Sequence, residues 1–309
     1  MYKSYKKSYK KRNKKRNKKT QKNKVCFKMD FLFEKNKKFY KLDYNNIKNN
    51  KLDNSLIHLI LYNYTSNKRK KILFIPHSVR NYNKYNSLLV YEELKPLFLN
   101  NSYYFRDYVI IFMTTLTHHK DKNYSSLCYK NNNNLGDYSC YKVGGLQSLN
   151  LLDYIKKNYN TYNNITIFGY SDGGWLGSIL GYLGYVNTVI AISGFSFYKF
   201  ILWKKHINKN MKNKKFIFYF SLYDEFNTGK KEYKKGEMLE ELLNIINYFN
   251  CKLIQKSYKK IGTLNFNKYY FKNHNNIIFK IYIDTNKSSN HNTLFKSKAH
   301  FNSLLNELN

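Results

Sequence analysis

Residues 164–174 read Asn164-Ile165-Thr166-Ile167-Phe168-Gly169-Tyr170-Ser171-Asp172-Gly173-Gly174, and the fold turns on them. The run up to Phe168 is β-branched and aromatic, the pattern of a short buried strand. Gly169 to Gly173 then form Gly-x-Ser-x-Gly. Trp175 to Tyr185 follow as a helix in which Gly177, Gly181 and Gly184 recur at spacings of four and three, sharing a face that can lie close to a sheet. In a strand, tight turn and helix of this kind a serine is held with its hydroxyl exposed beyond the strand's carboxyl end. Its neighbours are glycines because a Cβ there would clash. A serine that merely caps an ordinary strand-to-helix turn is the plainer alternative.

The composition sharpens the motif. Lys, Asn, Tyr, Phe and Ile dominate, as in a gene drifting toward A/T-rich codons, yet six of the 13 glycines fall between Gly169 and Gly184. By composition alone the pattern is expected roughly 0.04 times in such a chain, so it is informative before its context is added.

On these residues the chain resembles the α/β-hydrolase superfamily, over most of residues 56 to 309. The resemblance implies a mostly parallel central sheet of about eight strands with helices on both faces, and a triad in the order Ser, Asp or Glu, His. Ser171 is then the nucleophile. Lys215 to Leu222 is a convincing strand, and Asp224 directly after it takes the acid's position, with Glu225 as a substitute. The last strand, Ile277 to Asp284, runs into the loop Thr285 to Asn292, where His291 takes the place of the base. His300 on the terminal helix competes for that role, and Asp284 at the strand end could be mistaken for the acid. The oxyanion hole draws one amide from Asp172 and a second from the loop after Lys71 to Pro76, at Ser78 or Val79. Relatives often carry His-Gly there, and His77-Ser78 departs from that; His77 reads as a structural histidine.

Other elements agree with an α/β order. Val25 to Phe33, Phe39 to Leu42 and Leu56 to Tyr64 read as early strands, the last joined through Ser66 to Lys70 to the strand at Ile72 as an antiparallel pair. Tyr108 to Met113 and Thr188 to Ser193 are further strands, and Leu146 to Asn158 and Gly236 to Phe249 are amphipathic helices. Leu264 to Phe271 and Ile277 to Asp284 pair as a hairpin that either extends the sheet or covers the site. Only Phe195 to Lys214 separates two successive strands, which leaves no room for a large cap domain there. Asn123 to Cys140 reads as a polar loop over the strand ends.

The formal charge is +36. Residues 1 to 24 hold 13 Lys or Arg and no acid, and read as a disordered basic tail ahead of a single domain, residues 25 to 309. Lys10 to Lys19 suits a nuclear address or non-specific polyanion contact. The remaining excess is spread through the domain, as codon drift would leave it, and argues against a dedicated nucleic-acid stripe. No secretory core follows the tail and no apolar run reaches 18 residues, so the expectation is an intracellular chain without a transmembrane segment, cytoplasmic or nuclear. Cys26, Cys128, Cys140 and Cys251 form no paired framework and are expected to be free thiols. His118-His119 has no acidic or cysteine partner at a ligand spacing. No metal site, phosphate loop or dinucleotide fingerprint is present, and no cofactor is expected.

The activity that follows is acyl transfer on a small-molecule or acylated substrate, with an ester or thioester as the default. A serine peptidase of the same fold and a non-catalytic scaffold or polyanion-binding protein are the alternatives. Oligomeric state is not legible in the sequence.

Overall fold

The computed structural model describes residues 27–35, 38–42, 56–63, 71–77, 102–105, 107–114, 148, 151–152, 154, 157, 164–194, 207, 211–224, 237–289 and 298–308. The strands are β1 (Phe27–Lys35), β2 (Lys38–Leu42), β3 (Leu56–Asn63), β4 (Lys71–His77), β5 (Tyr108–Thr114), β6 (Ile165–Tyr170), β7 (Thr188–Ile192), β8 (Lys215–Ser221), β9 (Lys252–Ile261), β10 (Leu264–Lys272) and β11 (Ile278–Asp284). Three helices are complete: α1 (Asp172–Tyr182), α2 (Glu237–Tyr248) and α3 (Lys298–Leu308). Of the helix expected at Leu146 to Asn158, the described residues Ser148, Leu151, Leu152, Tyr154 and Lys157 are helical, with the first three buried.

All eleven strands join one sheet in the order β2-β1-β3-β5-β4-β6-β7-β8-β11-β10-β9. Its centre, β5-β4-β6-β7-β8-β11, is parallel throughout. Antiparallel strands flank it: β3, β1 and β2 at one side and β10 and β9 at the other. The central strands read as nearly continuous apolar runs because both faces are covered. In β4, Ile72 and Phe74 enter one core and Leu73 and Ile75 the other, all at most 3% exposed. The first core lies under α1 and α2, and α2 contributes Leu242, Ile245 and Ile246 at helical spacing. Beneath α3 the second core receives Phe301, Leu304 and Leu305.

Two expectations are corrected. Leu56–Asn63 does not pair with the strand at Ile72; β5 lies between them, antiparallel to β3 and parallel to β4. The reason is burial: β4 is apolar on both faces and takes a central place flanked by parallel strands, which a simple hairpin with its predecessor would not give it. Gly184 does not share the packing face of Gly177 and Gly181. A Cβ on either of those would come within 2.6 Å of a sheet side chain, Ile167 for the first and Phe216 for the second. Gly184 has open space and φ 86°, and it ends α1: its N–H bonds the Gly181 carbonyl while the Tyr185 N–H bonds that of Leu180.

The hairpin of β10 and β11 extends the sheet. It is joined by β9, a strand absent from the sequence reading, which forms the sheet's outer edge with Leu253, Ile254 and Tyr258 more than half exposed.

Candidate active site

Strands β6, β7 and β8 stand in register through Tyr170, Ile192 and Tyr219. Ser171 follows Tyr170 directly, and Asp224 lies three residues beyond the end of β8. Both therefore sit at the carboxyl edge of the sheet, two strand spacings apart, or about 10 Å laterally. Asp224 is fully buried, and its N–H faces the Ser221 carbonyl at 3.4 Å.

Ser171 has φ 52° and ψ −123°, a backbone conformation that a non-glycine residue adopts only under constraint. It occupies the N-cap position of α1, yet its side chain makes no capping hydrogen bond. That removes the plainer reading of Ser171 as a helix cap. Its N–H donates to the Ile192 carbonyl at 2.9 Å and its carbonyl accepts from the Trp175 N–H at 3.1 Å, so the main chain is fixed on both sides.

The glycines explain why the turn closes. A Cβ on Gly169 would collide with the Gly173 carbonyl, one on Gly173 with the Pro76 carbonyl, and one on Gly174 with the Gly194 carbonyl. Gly194 was not singled out in the sequence. A Cβ there would overlap the Ser171 carbonyl oxygen, which makes Gly194 a fourth wall of the elbow. Its only sequence signal is its place just past β7, 23 residues after the serine. Ser193 beside it has φ 49° and is 8% exposed, with no partner for its hydroxyl among the described residues.

Contact between Gly173 and the Pro76 carbonyl has a further consequence. It seats the amino end of α1 against the end of β4, the strand that leads into Ser78 and Val79. Asp172 is the first residue of α1, where the backbone N–H groups lack intrahelical partners and the helix dipole is positive. Ser78, Val79, Glu225 and His291 lie outside the described residues, as do His118-His119, residues 1 to 24 and the loop Asn123 to Cys140.

His300, the competing base, is fully buried on α3, with its ring 4.5 Å from that of Tyr219 and 5.7 Å from that of Phe266. That is a packing position within the second core. Asp284 is also fully buried, and Oδ1 accepts the Asn286 N–H at 3.0 Å. The two edge loops are tied together beneath Asp224: the Ser221 hydroxyl accepts the Tyr223 N–H at 3.1 Å and donates to the Ser289 carbonyl at 3.4 Å, while the Leu222 N–H bonds the Asp284 carbonyl. Among the described residues no three His, Cys, Asp or Glu side chains group as metal ligands. None of the described helices is long and apolar enough to cross a membrane.

The sheet order and the helices on both faces are those of the α/β-hydrolase fold. Among solved structures, the chain is similar to an S-formylglutathione hydrolase from Staphylococcus aureus, with 12% identity and a TM-score of 0.48 over 82% of this chain and 91% of that one. It is also similar to a dienelactone hydrolase from Anabaena variabilis, at 11% identity and a TM-score of 0.44 over 82% and 89%. An acetyl xylan esterase from Thermoanaerobacterium gives 11% and 0.47 over 82% and 79%. No protein-family model matches the chain, and no curated protein matches it in sequence.

Proposed function

We propose that this chain is a serine hydrolase that cleaves a carboxylic ester or thioester through an acyl-enzyme on Ser171. The observation that carries the reading is the backbone of Ser171: a strained conformation walled by glycines, with a hydroxyl that does not serve as the helix cap beside it. Strain of this kind persists only where the surrounding structure imposes it, which supports a role for this serine beyond closing a turn.

In the proposed cycle, Ser171 Oγ attacks the carbonyl carbon while His291 takes the hydroxyl proton. Asp224 accepts the hydrogen bond of the other imidazole nitrogen and stabilises the imidazolium. The negative charge on the former carbonyl oxygen is met by the Asp172 amide and one from Ser78 or Val79. Collapse expels the alcohol or thiol, which takes the proton from His291. Water then attacks the acyl-enzyme, gives its proton to His291, and the acid leaves with Ser171 restored. No cofactor enters this scheme.

The test is labelling by a fluorophosphonate probe, with the modified peptide mapped by mass spectrometry, for the wild type, Ser171→Ala and His291→Ala. Turnover of short p-nitrophenyl esters and of dipeptidyl amides is followed on the same preparations. Modification at Ser171 that both substitutions abolish, with esters turned over faster than amides, is the expected result. Folded wild type that does not label would overturn the hydrolase reading; a preference for amides would move the assignment to a peptidase.

A further inference from the structure

Strands β9 and β10 carry the sheet beyond β11, and the surface they add beside α3 is unusually cationic. Lys215, Lys259, Lys268 and Lys280 are all half-buried there. Glu307 on α3 is the acid they meet, and its carboxylate is already engaged. Lys280 Nζ donates to Oε2 at 2.7 Å, Lys215 Nζ stands 3.3 Å from the same oxygen, and the Tyr282 hydroxyl donates to Oε1 at 2.7 Å. The other carboxylate on this face of β11, Asp284, is fully buried and accepts the Asn286 N–H.

Among the described residues Lys259 and Lys268 make no ion pair with a carboxylate, and Glu307 reaches Lys268 only at longer range. Both place Nζ over the ring of Tyr282, at 5.6 and 5.4 Å from its centroid. Tyr219 stacks on that ring at 4.2 Å with an interplanar angle of 5°, so one face is closed and the two ammonium groups share the other. Lys259 also donates to Ser303 Oγ at 3.1 Å, whereas Lys268 has no hydrogen-bond acceptor among the described residues. Four ammonium groups against one carboxylate leave a local charge of 4 − 1 = +3 over a floor of tyrosine rings. Burial, then repulsion from Lys280, holds Lys268 below the ordinary lysine range; Glu307 offsets this in part and Lys259 adds to it.

We propose that this lysine cluster binds a phosphate-class oxyanion, with Lys259 and Lys268 as its principal ligands, Lys280 at its margin and the Ser303 hydroxyl as a further donor. Ammonium groups are compact, strongly hydrated charges that hold phosphate as point charges. A phosphate dianion offsets two of the three excess charges at once and offers at least three acceptor oxygens, where a carboxylate carries a single charge and two oxygens. The site is independent of the elbow. Tyr170, Ile192, Tyr219, Tyr282 and Lys268 stand in one register across the sheet, and four strand spacings place Lys268 about 19 Å from the end of β6.

Isothermal titration of the full chain with inorganic phosphate, and in a second arm with phenyl phosphate, tests this and separates the free ion from a phosphate monoester. Lys259→Gln/Lys268→Gln is compared with Lys252→Gln/Lys272→Gln, an exposed register pair on the same hairpin with the same change of charge. The wild type and the exposed-pair variant are expected to bind one equivalent saturably in at least one arm. The Lys259→Gln/Lys268→Gln variant should bind at least about tenfold more weakly, the loss of one charge-assisted contact or more. In thermal melts the Lys259→Gln/Lys268→Gln variant, relieved of repulsion, should melt no lower than wild type without phosphate and lose the upward shift that phosphate gives the wild type. Equal weakening in both variants, or no saturable binding in either arm, would overturn the proposal.

Discussion

Replacing Glu307 with glutamine should make the chain's stability less dependent on acid. Burial alone would push this carboxyl upward, but hydrogen bonds from Lys280 and Tyr282 and the charges of Lys280 and Lys215 outweigh it and hold it at about 2 against the ordinary 4.5. Lys215 is lowered too, because its own burial and the repulsion of Lys280 exceed its attraction to Glu307. A gap of 4.5 − 2, or about 2.5 pH units, corresponds to about 3.4 kcal/mol at 1.36 kcal/mol per unit. The lysine partners are 27% and 24% exposed, and solvent screening reduces that to about 2 kcal/mol. Because the folded value is the depressed one, this stability is fully present above pH 4.5 and is lost as pH falls toward 2. Urea unfolding of wild type and Glu307→Gln from pH 7 down to pH 2.5 reads it out, the difference between the two cancelling every other carboxylate. The variant should be weaker by about 2 kcal/mol at neutral pH, narrowing to about a quarter of that at pH 2.5. A variant as stable as wild type at pH 7, or a difference that persists unchanged into acid, would refute the ion-pair account.

Three further outcomes follow from the elbow and the core. On the proposed function Ser171→Ala should lower ester turnover by at least about a thousandfold while the melting temperature stays close to that of wild type, because alanine keeps the Cβ and the backbone at φ 52° and only the hydroxyl is lost; a retained rate would move the chemistry to another residue. Gly173→Ala and Gly194→Ala should each destabilise by about 2 kcal/mol or more, since the new methyl meets backbone at Pro76 or Ser171 and not a side chain that can rotate away; wild-type melting of either would show that the elbow is looser than its geometry. Cys251 is buried and free, and burial pushes its thiol up to about 12, so iodoacetamide at pH 8 should leave the Cys251 peptide unmodified until denaturant is added. Peptide mass mapping decides that case, and rapid modification of the native protein would count against the packing described.

Much of the architecture is legible where local chemistry and global place agree. Ile165 to Phe168, Val189 to Ile192 and Phe216 to Phe220 are buried on both faces, and a nearly continuous apolar run between polar residues records that directly. The elbow is legible because the backbone demands glycine, which the rest of the composition makes scarce. Asp224 is placed by its distance from a strand end, and the structure puts it at the same edge as Ser171. Strand β9 escaped notice for a physical reason. Lys-Leu-Ile-Gln-Lys-Ser-Tyr-Lys-Lys-Ile belongs to an edge, and its first five residues are exposed whichever way they point, so no alternation of polar and apolar survives. The neighbour of β4 was likewise hidden, because pairing order depends on long connections that local sequence does not describe. Gly194 belongs to the elbow through space alone.

Among the described residues no further strand pairs with the outer side of β9, and beside it Leu253, Ile254 and Tyr258 are more than half exposed. Interleaved with them are Lys252, Lys256, Lys259 and Lys260, so two molecules that met edge to edge would bring like charges together. Colloidal stability of this chain thus depends on the medium as well as on the sequence. In dilute buffer the lysines keep neighbouring molecules apart. Concentrated salt shortens the reach of that repulsion to a few ångströms and leaves the sticky edge unguarded, so the conditions commonly chosen to suppress the binding of a basic protein to nucleic acid are the ones in which this protein should be hardest to keep dispersed.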